Sequence, residues 1–111
     1  MAYDENLADK VRESLVHLPD VYEKAMFGGL CFMVDGKMCI CVRNTELMCR
    51  VGTDEAETAL ERNGARQMVH GGRTMKGYVY VEDTGHTKPS DFNYWINACL
   101  KYNKVAKSSK K

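Results

Sequence analysis

The sequence has almost no charge excess. Sixteen Lys and Arg oppose fifteen Asp and Glu, a formal charge of +1. No global field of either sign is available to steer DNA, RNA or an anionic membrane, so direct nucleic-acid binding is not expected. No apolar run approaches the roughly 20 residues of a membrane span. The opening Met1-Ala2-Tyr3-Asp4-Glu5 lacks the basic and apolar regions of a secretion signal, and a cytoplasmic location is expected. Internal repeats and an interdomain linker are missing too. What remains is a chain of 111 residues, suited to one domain over residues 1–103 with a basic tail at 104–111. A domain of that size supports a core without metal or disulfide staples.

Catalytic motifs are equally scarce. There is no Gly-x-Ser-x-Gly, no His-Glu pair on a helix and no carboxylate pair in a glycine-framed loop. Ser14, Ser90, Ser108 and Ser109 fall in a helix, a cap and a tail. His17, His70 and His86 fall at a helix end and in two loops, at no ligand spacing, and are expected at the surface. No catalytic residue, cofactor or metal site is assigned.

The five cysteines, Cys31, Cys39, Cys41, Cys49 and Cys99, form an odd set. Cys39-x-Cys41 on a strand points both thiols to one face. Structural zinc asks for paired knuckles and a fourth ligand, which this spacing does not supply. In a reducing compartment all five are expected to be free, metal-free thiols.

Periodicity supplies the rest. Leu7, Val11, Leu15 and Leu18 make one stripe of a helix over 4–18, capped by Asp4 and stopped by Pro19. Strands are expected over 21–27, 30–34, 38–43 and 47–51. The Asp35-Gly36-Lys37 turn decides which residues share a face. A two-residue loop groups Cys39 and Cys41 with Leu30 and Phe32; a three-residue loop groups Met38, Ile40 and Val42 with them. The second choice makes a purely apolar face and is preferred. Leu47, Cys49 and Val51 then join that face.

The opposite face carries Cys31, Met33, Cys39, Cys41 and Met48, followed by Arg50. It is soft and semi-polar, a candidate interaction face for a protein partner or a second copy of the chain. A short helix is expected over 54–63, a strand over 67–70, a Gly71-Gly72 turn and a strand over 78–81. A final helix capped by Ser90 carries Phe92, Trp95, Ile96, Cys99 and Leu100. The order α-β-β-β-β-α-β-β-α implies an α+β fold: two layers, an antiparallel sheet of five to six strands, helices on one face. Arg50, Arg73 and Lys76 are candidate contacts for an anionic ligand, as a small ligand-binding domain or enzyme would need. The Gly71–Gly77 segment, however, leads into a strand and not the helix N-terminus of a phosphate loop.

Several short motifs recur in a recognisable order: Met26-Phe27-Gly28-Gly29, Gly36-x-Met38, Leu47-Met48-x-Arg50-Val51-Gly52, and Gly72-Arg73-x-Met75-Lys76-Gly77-Tyr78-Val79-Tyr80-Val81. With the opening Met1-Ala2-Tyr3-Asp4-Glu5-x-Leu7, the set resembles the N-terminal domain family of the TfoX (Sxy) competence regulators over residues 1 to about 102. That resemblance implies a two-layer α/β fold with an antiparallel sheet, in a bacterial cytosolic protein. It implies a non-enzymatic regulatory role, with no catalytic residues to carry over. Full-length regulators of this type add a helical C-terminal domain and act as coactivators of competence genes with a cAMP-receptor-type activator. The present chain ends just after its last helix.

Overall fold

A computed structural model describes residues 3–26 and 28–106. Of the expected tail at 104–111, residues 107–111 lie outside them. The chain runs α1 (Glu5–Leu15), β1 (Val21–Met26), β2 (Gly29–Val34), β3 (Lys37–Arg43), β4 (Glu46–Arg50), α2 (Thr53–Ala59), β5 (Ala65–His70), β6 (Arg73–Val81) and α3 (Pro89–Asn103). A 3-10 turn at Asp83–Gly85 precedes α3. The six strands form one antiparallel sheet in the order β1-β2-β3-β4-β6-β5. The element order and the α+β class are those expected from periodicity.

Several element ends differ for local reasons. Asp4 caps α1 as expected, accepting from the Asn6 N–H at 3.0 Å. The helix stops at Leu15, before Pro19 would force it to. Pro89 occupies the first turn of α3, which puts Ser90 inside the helix. Gly52, at φ +87°, starts α2 without a side-chain cap. β6 is nine residues long, not four. The alternation stops at Gly77 because the strand bulges there: Gln67 pairs with Val79 but Val69 with Thr74. Gln67 closes the gap by donating to the carbonyl of Met75 at 3.0 Å. Gly77 turns back at φ +85°, and its carbonyl accepts from the N–H groups of Val51 and Gly52.

All three helices contribute to one core. Leu7, Val11 and Leu15 of α1, Ala56 and Ala59 of α2, and Phe92, Trp95, Ile96 and Cys99 of α3 pack with Phe32, Ile40, Val42, Leu47, Val79 and Val81 of the sheet. The end of α3 is pinned to the β2–β3 hairpin. Asn103 donates to the Val34 carbonyl (3.1 Å), and Lys37 donates to the Asn103 carbonyl (2.7 Å). A cation at a helix C-terminus also suits the macrodipole. Beyond the helix, the N–H groups of Val105 and Ala106 both donate to Tyr102.

The turn between β2 and β3 corrects one expectation. Val34 pairs with Lys37, so the loop is Asp35-Gly36 alone, both residues at positive φ (56° and 75°), as a tight hairpin turn requires. Ile40 and Val42 still face the helices because β3 carries a bulge. Phe32 pairs with Ile40 and Met33 with Met38, which leaves Cys39 as the extra residue. Cys39 therefore joins the helix-side core, and Met38 goes to the other face.

Candidate functional site

The sheet face turned away from the helices is where the sequence placed an open contact surface. It is not open. Cys31, Met33, Cys41 and Met48 are each at most 3% exposed, and Cys39 lies on the opposite side altogether. A second buried cluster fills this face: Cys31, Met33, Met38, Cys41, Met48, Met68 and Tyr80, with Met26, Met75 and Tyr78 packed against it. No helix contributes to it. The cover comes from the sheet itself, whose β5–β6 hairpin supplies Met68, Met75, Tyr78 and Tyr80. Parity reasoning identified most of the residues on this face. It could not see the hairpin that covers them, because β5 was only weakly patterned and β6 was half hidden behind Gly77.

Register aligns the cluster in a row across the strands. Lys24 faces Cys31, Cys31 faces Cys41, Cys41 faces Met48, Met48 faces Tyr80 and Tyr80 faces Arg66. Cys31 and Cys41 are joined by a disulfide, with their Cα atoms 4.0 Å apart. This corrects the expectation of five free thiols. Two cysteines on neighbouring strands, directly opposite and on the same face, are close enough to bond, and the cytosolic default carries no information about such a pairing.

The three remaining cysteines are free and buried. They meet where β3, β4 and α3 come together. A hydrogen bond with Cys99, together with burial, pushes the Cys39 thiol far up. Burial, with Cys49 adding to it, does the same to Cys99. Such thiols stay protonated and are poor nucleophiles. No group of three or more His, Cys, Asp or Glu among the described residues is arranged to hold a metal ion. A thiol-reactive reagent at neutral pH is expected to leave all three unlabelled in the native protein and to label all three after denaturation. Mass spectrometry reads the count, and native labelling at Cys39 or Cys99 would contradict the buried trio.

The three candidate anion contacts sit on two neighbouring strands, Arg50 on β4 and Arg73 and Lys76 on β6. Arg50 is half-buried, its guanidinium over the rings of Tyr78 (5.8 Å) and Tyr102 (5.7 Å), and it donates to the Met38 carbonyl. Arg73 and Lys76 are exposed on the β5–β6 hairpin. Arg73 pairs with His70 at the hairpin end of β6, beyond the bulge that separates it from Tyr78, the partner of Arg50. None of the three lines the principal clefts. The glycines beside them are structural. Gly71 and Gly72 form the two-residue hairpin turn at φ +62° and +78°. A Cβ on Gly77 would press on the backbone of Gly52 at 3.2 Å.

His86 was expected at the surface and is buried at 6% exposure, its Nε2 2.9 Å from the Thr45 carbonyl. The 3-10 turn that places it has no periodicity, so the sequence offered no signal for it.

Three clefts lie around the C-terminal ends of α1 and α3. A cleft of about 490 Å³ is lined by Gly52, Glu55, Ala98, Tyr102, Lys104 and Val105, among others. A second, of about 440 Å³, shares Lys104 with it and includes His17, Leu18, Pro19 and Leu100. A third, of about 330 Å³, shares Leu18 and Pro19 with the second and reaches Val16 and Tyr22. Shared lining residues link each cleft to the next. Val16 (79% exposed), Tyr22 (48%) and Val105 (74%) are three of the four large hydrophobics left exposed among the described residues. No element inside the described chain covers them, and periodicity alone could not assign them to a shared surface.

A six-stranded open sheet with three helices on one side and a sulfur-filled second face defines a two-layer α+β domain. The chain belongs to the TfoX N-terminal domain family, whose model matches residues 13–102. No curated protein and no solved structure matches it. No described helix is long and apolar enough to cross a membrane.

Proposed function

We propose that the chain is a non-enzymatic protein-interaction module of transcriptional regulation, cytoplasmic, acting as members of its family are expected to act in competence-gene control. The observation that carries the interaction role is the run of linked clefts around the ends of α1 and α3. Its exposed Val16, Tyr22 and Val105 stand beside clefts with a combined volume suited to seating side chains from another protein. Scattered exposed hydrophobics are ordinary, whereas three along one connected surface mark association. This replaces the sheet face as the contact region, since the sheet face is already filled. The anionic-ligand alternative draws no support from the principal clefts, none of which Arg50, Arg73 or Lys76 lines.

A Val16→Lys, Val105→Lys double variant tests the surface. Both positions are exposed, so folding stability should change by no more than about 0.5 kcal/mol. Wild type and variant are compared as baits in native lysate, with sedimentation of each alone. A stoichiometric partner, or a self-associated species, present for the wild type and lost from the variant is the expected result. Equal behaviour of the two baits would remove this surface from consideration.

A further inference from the structure

Methionine is segregated in this fold. All six methionines among the described residues, together with Cys31 and Cys41, belong to the cluster on the helix-free face or pack against it. The helix-side core contains no methionine. The helix-free cluster in turn contains no Leu, Ile, Val or Phe, and its other members are Tyr78 and Tyr80. The shell around the Cys31–Cys41 bond is thus built from unbranched thioether side chains, not from the stiff β-branched ones that pack the other side.

We propose that Cys31 and Cys41 form a reversible thiol–disulfide element that sets the packing of the helix-free face, while the helix-side core holds the fold in both states. Reduction by a dithiol cleaves the Cys31–Cys41 S–S bond. Two electrons and two protons pass to the chain, giving two thiols, and the reductant closes to its own disulfide. Oxidation by a small-molecule disulfide runs the same exchange in reverse.

The physical case has three parts. First, two thiols need more room than one disulfide, because their sulfurs must separate from bonding to van der Waals distance. Methionines supply that room by changing rotamers, where a close-packed aliphatic shell would resist. Second, the pair lies beside a sheet edge. Only β1 stands outside β2, and Tyr22, Glu23, Lys24 and Ala25 of β1 are exposed. The Cys31 sulfur lies 3.9 Å from the carbonyl of Met26, the last residue of that edge strand. Fraying of β1 is the short route by which a thiolate reaches a bond that is otherwise sealed. Third, the bond belongs to a buried cluster separate from the helix-side core, so helix packing is expected to survive its loss.

The loop closed by the bond is short, with a separation of 10 residues. Chain-entropy reasoning assigns roughly a hundredfold change in the folding equilibrium constant to its opening. The test treats the full chain with dithiothreitol and then with glutathione disulfide, without denaturant. Alkylation with mass spectrometry reads the redox state, circular dichroism reads the fold, and amide exchange maps the change. A Cys31→Ala, Cys41→Ala variant serves as a fixed reduced form.

The expected result is native reduction and reoxidation of this one bond, an unchanged helical signal and a roughly hundredfold smaller folding constant. Faster exchange should be confined to β1, β2 and the β5–β6 hairpin. Reduction that requires denaturant would make the bond a permanent staple and overturn the proposal. So would loss of the helical signal on reduction, identical exchange in both states, or a pair that glutathione disulfide never closes.

Discussion

Met48→Lys is expected to unfold the domain or bring it close to unfolding. Met48 is 1% exposed in the centre of the cross-strand row, between Cys41 and Tyr80. An ammonium there would be sealed among thioethers with no carboxylate in the cluster. Placing an unpaired charge in such a site costs at least about 4 kcal/mol, a large part of the 5–15 kcal/mol that holds a typical domain. Met48→Leu keeps volume and polarity and should cost less than about 1.5 kcal/mol. Urea unfolding of the two variants beside the wild type measures both. A Met48→Lys protein of native stability that differed only in association would return the face to the role of an open contact surface.

Trp95→Ala is expected to cost about 3–5 kcal/mol through the cavity it leaves. Trp95 is completely buried in the helix-side core, stands edge-on to Tyr94 with ring centroids 5.0 Å apart, and donates its indole N–H to the Gly85 carbonyl at 3.1 Å. It thereby ties α3 to the turn that precedes it. Trp95→Phe keeps most of the packing and loses that bond, a further cost of about 1 kcal/mol. Denaturant midpoints separate the two contributions. An unchanged midpoint for Trp95→Ala would mean that α3 does not pack on the sheet.

How far the sequence was legible follows from particular residues. The stripe Phe92, Trp95, Ile96 and Cys99 identified α3 and its buried face, because helical period and apolar type agree there. Ile40, Val42, Leu47 and Cys49 were correctly placed toward the helices. That placement came from a three-residue loop, whereas the chain uses a two-residue turn followed by a bulge at Cys39. The two solutions have the same parity beyond the bulge and differ only at Met38 and Cys39, so alternation cannot separate them. The candidate site was harder. Exposure of a sheet face depends on what long-range neighbours cover it. Those neighbours, Met68 and Met75, sit on strands interrupted by a bulge. Val16 and Val105 are brought to one surface only by the tertiary arrangement.

The edge strand β1 has a bearing on how copies of the chain meet one another in solution. Two such strands joining edge to edge about a twofold axis must run antiparallel, and residues facing each other must come from the same side of the pleat. Position numbers in every facing pair therefore sum to an even value. The two registers that overlap most of Val21–Met26 place either Glu23 opposite Glu23 or Lys24 opposite Lys24 at the axis. Lys24 opposite Lys24 is a direct like-charge clash, and Glu23 opposite Glu23 brings together two carboxylates each already paired with Arg12 of its own copy. Adjacent Glu23 and Lys24 at the middle of a six-residue edge thus disfavour β1-to-β1 pairing between two copies. A strand of different sequence from another protein meets no such obstacle there.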